Sequence, residues 1–134
     1  MRIFLDANVL FSASNHDSHI ARLIEIVSND HTTVTSDFAL EEARRNVQLK
    51  RPAWTEGFTT LASQLEVTPS VLFDLSVEID AKDRPILCAA IRAGCDLLVT
   101  GDRKHFGHLY EQTVEGVTIA SVLGLAQRIA GNDA

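Results

Sequence analysis

The chain has 134 residues, of which 46% are hydrophobic and 22% charged, enough apolar side chain for one globular core and too little charge for a disordered segment. A formal net charge of −6 excludes a protein that coats duplex nucleic acid through bulk positive charge, while leaving room for an acidic site that handles nucleic acid locally. No apolar run is long enough to span a membrane and the first residues show no signal-peptide pattern, so the expected location is the cytoplasm.

In chain order, Arg2-Ile3-Phe4-Leu5 is an apolar strand that ends at Asp6, and Ala7 to Phe11 begins a short helix or turn. After the polar break Asn15-His16-Asp17-Ser18, a helix over about 18–28 carries Ile20, Leu23, Ile24 and Val27 on one stripe. Thr32-Thr33-Val34-Thr35 is β-branched throughout and predicts a strand. Ser36 or Asp37 then caps a helix with Phe38, Leu40, Ala43 and Val47 on its apolar side and Glu41 and Glu42 in its second turn. Residues 52–65 form a further helical stretch, weakened by Gly57 and the Thr59-Thr60 pair, and Glu66 to Pro69 is a short strand suited to an edge because proline lacks a donor. Residues 70–81 are a connection.

The most informative stretch is KDRPILCAAIRAGCDLLVTGDRKHF, residues 82–106. Asp83 is expected as the N-cap of a helix carrying Ile86, Leu87, Ala90 and Ile91, with Pro85 in the first turn and Gly94 at the end. Asp96 to Thr100 is a short strand buried on both faces, with Asp96 at its entry and Gly101-Asp102 at its exit. Residues 103–115 show little pattern and are expected as loop; Gly116 to Ala120 is a last strand, and Ser121 caps a terminal helix with Val122, Leu123, Leu125, Ala126 and Ile129. Cys88 and Cys95 show neither metal spacing nor a disulfide framework and are expected as reduced thiols.

Strands alternating with helices predict an α/β domain over residues 1–134, with a mainly parallel sheet of four to five strands flanked by helices on both faces. Ligands of such sheets bind beyond the carboxyl ends of the strands, where the strand order reverses. Asp6 and Asp102 lie at strand ends, Asp83 starts the helix entering the Asp102 strand, and Glu41 or Glu42 lies early in the helix after the second strand. If the first and fourth strands are neighbours, Asp6 and Asp102 fall about one interstrand spacing, roughly 5 Å, apart. Carboxylates so gathered need a counter-charge, and oxygen ligands suit Mg2+ or Mn2+ better than zinc. Asn8 and Thr100 are placed to orient the carboxylates. The histidines, His105 and His108 nearest the site among them, show no zinc spacing, and no serine, cysteine or histidine nucleophile with a partner is evident.

FLDANVL at the start, TSDFALEEARRNV after the second strand, KDRPILCAA and LLVTGDRKHFG together resemble the PIN-domain proteins, of the type found as ribonuclease toxins in toxin–antitoxin pairs. The resemblance covers nearly the whole chain. It implies that Asp6, Glu42, Asp83 and Asp102 are the metal-site acids of an Mg2+- or Mn2+-dependent ribonuclease, with Asn8 and Thr100 in support. Glu42 is preferred to Glu41 because it is followed by a small residue, as in the family motif, and Lys104 stands where some members carry a further acid. An antitoxin over the cleft and a homodimer are the implied partners. Arg44, Arg45, Lys50 and Arg51 on and after one helix, with Arg84, Arg103 and Lys104 around the cleft, are the candidate contacts to single-stranded or loop RNA. Two other classes fit parts of the pattern. A phosphoacceptor receiver domain needs adjacent acids after the first strand, where this chain has Asp6-Ala7-Asn8; a non-catalytic RNA-binding or interaction module needs no four acids.

Overall fold

A computed structural model describes residues 1–132. Its sheet has six strands: β1 (Arg2–Leu5), β2 (Thr32–Ser36), β3 (Glu66–Thr68), β4 (Leu97–Val99), β5 (Thr113–Val114) and β6 (Val117–Ala120), in the spatial order β3-β2-β1-β4-β6-β5. All neighbours are parallel except β5 and β6. The helices are α1 (Ala7–Ala13), α2 (His19–Asp30), α3 (Asp37–Lys50), α4 (Thr55–Ser63), α5 (Arg84–Arg92), α6 (Arg103–Phe106) and α7 (Val122–Asn132).

Consecutive strand residues face opposite sides of a sheet, and Ile3, Phe4 and Leu5 are all fully buried, so both faces of β1 are covered. The chain moves outward from β1 through β2 to β3 and then returns to place β4 on the other side of β1. The order therefore reverses between β1 and β4, with Leu5 level with Val99 at the carboxyl edge. Side-chain caps fix where two of the helices begin: Ser18 accepts from the Ala21 N–H and Ser36 from the Ala39 N–H, both at 3.1 Å, so Ser36 is the cap of α3 and Asp37 its first residue.

Several expectations need correction. The sheet has one strand more than the predicted maximum, because residues 103–115 are not patternless: they form α6, a 3-10 turn at Gly107–Leu109 and the two-residue β5, each too short to leave a periodic signal. The stretch 52–65 divides into a 3-10 turn at Pro52–Trp54 and α4. Gly57 serves this packing, since a Cβ there would lie 2.1 Å from the Ser14 carbonyl oxygen at the end of α1. Asp83 precedes α5 but its side chain caps nothing. The connection 70–81 is an extended strap in which Phe73, Leu75, Val77 and Ile79 are half-buried and the residues between them exposed. Cys88 and Cys95 are free and buried, as expected of packed thiols, and burial pushes the Cys95 thiol up to about 11.

Candidate active site

The turn after β1 and the turn after β4 are locked together by one hydroxyl. Asp6 is buried, with 4% of its surface exposed; its Oδ1 accepts from the Ala7 N–H at 2.7 Å, and its Oδ2 accepts from the Thr100 hydroxyl at 2.8 Å and from Asn8 Nδ2 at 3.3 Å. Thr100 Oγ1 in turn accepts from the Asp102 N–H at 3.1 Å, while Asn8 Oδ1 accepts from the Gly101 N–H at 2.8 Å. Continuing the β1–β4 register one residue past Leu5 and Val99 sets Thr100, not Asp102, across from Asp6. The two acids are thus not strand neighbours, as expected from sequence; they are held to one another through Thr100. Asp102 Oδ1 accepts from the His105 N–H at 3.1 Å and so caps α6. Burial pushes the Asp6 carboxyl up to about 6, against the pull of the Thr100 hydroxyl and the Ala7 N–H, and the negative charges of Glu42 and Asp83 add to the rise.

Asp83 reaches the same region from the start of α5. Its Oδ2 lies 2.6 Å from His105 Nδ1, which is also 3.0 Å from Asp102 Oδ2. Asp80, one turn earlier, brings its Oδ2 to 3.8 Å from His105 Nε2, while its Oδ1 accepts from the Lys82 N–H at 3.1 Å. Asp80, Asp83 and His105 offer donor atoms that all lie within 4.8 Å of one another. Among the described residues, Asp83 Oδ2 and His105 Nδ1 are the buried side-chain polar atoms left without a hydrogen bond, since their short contact lacks the angles of one. A buried carboxylate oxygen without a donor, among other carboxylates, is what a cation-binding set presents before its ion arrives. Burial also raises the Asp83 carboxyl; the nearby His105 opposes this, and the charges of Asp102 and Asp80 reinforce it.

On α3 the two glutamates separate. Glu41 is exposed and paired with Arg44, whose Nε donates to it at 2.9 Å, whereas Glu42 is half-buried and close enough to raise the Asp6 carboxyl. Of the basic residues singled out from sequence, Arg45, Arg103 and Lys104 are exposed. Arg44 is engaged with Glu41, and Arg84 donates to the Phe73 carbonyl at 3.3 Å, pinning the strap to α5. Lys50 and Arg51 lie at the far end of α3, the latter over the Trp54 ring at 5.6 Å, and Asp96 lies at the opposite edge of the sheet, as its expected role at the strand entry requires.

A model of the PIN domain matches residues 2–104, three quarters of the chain. The chain belongs to the PIN domain family. Solved structures with this fold include VapBC2 from Rickettsia felis bound to a DNA fragment from its promoter, at 18% identity and TM-score 0.66, with 90% of this chain and 98% of that one aligned. FitAB bound to IR36 DNA is similar at 18% identity and TM-score 0.59, covering 90% and 94%. VapC20 from Mycobacterium tuberculosis, a sarcin–ricin loop cleaving toxin, is similar at 11% identity and TM-score 0.56, covering 84% and 98%. Among curated proteins, none matches the chain in sequence.

In this PIN domain the acids that sequence reasoning singled out, Asp6, Glu42, Asp83 and Asp102, gather from four different elements at the carboxyl edge. Sequence reasoning missed Asp80, and it placed His105 near the site but set it aside for want of zinc spacing. The one available signal was that His105 falls three residues after a strand-end aspartate, within reach of it on a helical turn.

Proposed function

We propose that this PIN domain is a metal-dependent endoribonuclease and the toxin of a toxin–antitoxin pair. The observation that carries the reading is that Asp6, Glu42, Asp83 and Asp102 lie close enough at the carboxyl edge for their charges to help raise the Asp6 carboxyl, to about 6, and the Asp83 carboxyl, whose Oδ2 is buried without a hydrogen bond. Among the described residues, no lysine or arginine forms an ion pair with any of the four. Such a set fits Mg2+ or Mn2+, with Asp6, Asp83 and Asp102 as ligands and Glu42 binding directly or through water. Bound there, the ion supplies Lewis acidity toward a phosphodiester and an activated water.

The chain's own residues do the positioning. Asn8 and Thr100 fix the Asp6 oxygens and tie the Gly101-Asp102 turn to them, so these two acids are held in place before any ligand binds. Beside Asp102 a cleft of about 500 Å³, lined by Gly101, Arg103, Tyr110, Ser121, Val122 and Leu123, offers a path for a single strand with Arg103 beside its phosphates. The neighbouring structures support the biology: VapBC2 and FitAB are solved on DNA, and VapC20 is a toxin that cleaves the sarcin–ricin loop. An antitoxin that covers the cleft, a homodimer and a cytoplasmic setting complete the reading; among the described residues no helix is long and apolar enough to cross a membrane. The test is cleavage of an unpaired RNA and of its perfect duplex with Mn2+, Mg2+ or EDTA. The expected result is metal-dependent cleavage of the unpaired strand; equal cleavage of both, or activity in EDTA, overturns the proposal.

A further inference from the structure

We infer that His105 is a nitrogen ligand of the metal centre and Asp80 the carboxylate that orients it, so that the site favours Mn2+ and later first-row ions over Mg2+. This rests on the reading of the acidic cluster as a metal centre. A ring positioned only to fill space would not turn both nitrogens onto acids. Here Nδ1 sits 2.6 Å from Asp83 Oδ2 and 3.0 Å from Asp102 Oδ2, while Nε2 faces Asp80 Oδ2 at 3.8 Å. Adjacent ligands of a six-coordinate ion with bonds of roughly 2.1 Å lie about 3 Å apart, so Nδ1 is spaced as a coordination-shell neighbour of each of the two carboxylate oxygens, with a shift of a few tenths of an ångström at Asp83.

Nδ1 is buried and, although it touches Asp83 and Asp102, makes no well-directed hydrogen bond to either, which leaves its lone pair available to an ion held by those acids. Metal-bound imidazoles as a rule give their second ring N–H to a carboxylate, which fixes the tautomer. Asp80 stands on the Nε2 side, and its own orientation is set by the Lys82 N–H on Oδ1 and by the turn that the Asp83 N–H closes on the Asp80 carbonyl at 2.9 Å. The backbone of His105 is held as well, because its N–H donates to Asp102, another member of the cluster. Mg2+ takes oxygen almost exclusively, whereas an imidazole nitrogen strengthens binding along the series from Mn2+ to Co2+ and Ni2+. The donor set thus tilts selectivity at one residue. Sequence spacing concealed it because the histidine is paired not with another histidine or cysteine but with acids, two of which, Asp80 and Asp83, lie far upstream.

The experiment is calorimetric titration of the purified protein with MnCl2 and with MgCl2 in the absence of RNA, together with pulsed electron paramagnetic resonance of the Mn2+ complex to detect coupled 14N. Wild type should bind Mn2+ more tightly and show imidazole nitrogen coupling. His105→Gln should lose about tenfold or more in Mn2+ affinity, stay within about threefold for Mg2+, and lose the coupling. Asp80→Asn should lose less Mn2+ affinity and keep the coupling, as suits a positioning residue. Equal losses for both ions, tighter binding in His105→Gln, no nitrogen coupling in wild type, or no binding of either ion overturns the inference; thermal melts of each variant separate these outcomes from misfolding. A chain that binds Mn2+ through His105 yet cleaves no RNA leaves the inference standing and sinks the nuclease reading. Cleavage with no nitrogen coupling does the reverse.

Discussion

Both edges of the sheet carry carboxylates, and the two sets live under opposite conditions. At the amino edge the acids beside β1 have partners from the chain: Asp96 Oδ2 accepts from the Arg2 N–H at 2.8 Å, and Glu66 is paired with the Arg2 guanidinium, which holds its carboxyl below the ordinary value. The Arg2 side chain also donates to the Ala93 carbonyl at 3.0 Å, so the edge is closed by internal bonds. At the carboxyl edge the acids lean on hydroxyls, amides and one imidazole, and burial drives the Asp6 carboxyl up where pairing would have driven it down. A strand edge that neutralises its own charge is structural. One whose acids, among the described residues, pair with no lysine or arginine suits the metal-bound reading proposed above.

The sharpest way to break this contrast is to remove one charge from each edge. Asp102→Asn is expected to lower metal-dependent RNA cleavage by on the order of a hundredfold or more with the fold intact, because it removes a charged ligand while keeping side-chain size. Asp96→Asn on the same preparation should cleave at close to the wild-type rate. A dead Asp96→Asn beside an active Asp102→Asn would place the site at the wrong edge.

A smaller effect lies in stability against pH. The Asp6 carboxyl rises from 3.8 to about 6 on folding, so the folded state holds its proton more tightly than the unfolded chain. That contribution, about 3 kcal/mol by the size of the shift, is complete below pH ~4 and is lost as pH rises through ~6. Metal-free protein should therefore lose stability between these values, and Asp6→Asn should flatten the slope in denaturant melts taken at a series of pH values. Saturating Mn2+ should reverse the trend in wild type, because the ion competes with the proton for the same oxygens. A wild-type slope unchanged by either perturbation would mean that Asp6 does not face the charge deficit described.

The smallest effect belongs to the amino edge. Arg2→Ala gives up an exposed ion pair and one backbone contact, and exposed pairs contribute little. Its melting temperature should fall by only a few degrees, with Mn2+ affinity unchanged in the same calorimetric titration. A change in metal affinity there would mean that the two edges communicate through the sheet.

What the sequence disclosed about this site followed from where carboxylates meet regular structure. Asp6 and Asp102 were legible because each follows a buried apolar strand, whereas the reversal of strand order between β1 and β4 could only be assumed, since alternating strands and helices imply a parallel sheet but not its order. Glu42 over Glu41 could be taken only from the family motif; its physical reason, that Arg44 occupies Glu41, depends on side-chain choices a pattern does not carry. Asp80, and the contact of His105 with the acids, stayed hidden because their meeting depends on a non-repetitive turn at 80–83 and on a four-residue helix. The Thr100 bridge was hidden for a different reason: its role was expected, but that it stands between Asp6 and Asp102 is a matter of register, and a register cannot be read off one strand.

The strap gives the site an asymmetry of construction. Asp6 and Asp102 hang from the rigid ends of central strands, but Asp80 and Asp83 close a segment whose residues 71–79, among the described residues, form no backbone–backbone hydrogen bonds. It is tethered by alternate side chains, by the Ser70 hydroxyl on Asp37 at 2.7 Å, and by Arg84 and Cys88 on the Phe73 carbonyl. Half of the cluster is thus anvil and half is latch. On the metal-site reading proposed above, an ion gripped by both halves would fasten the latch, so loading the site would tighten a stretch of chain that reaches back past Phe73 to the start of α3, and stripping the ion would loosen that same stretch.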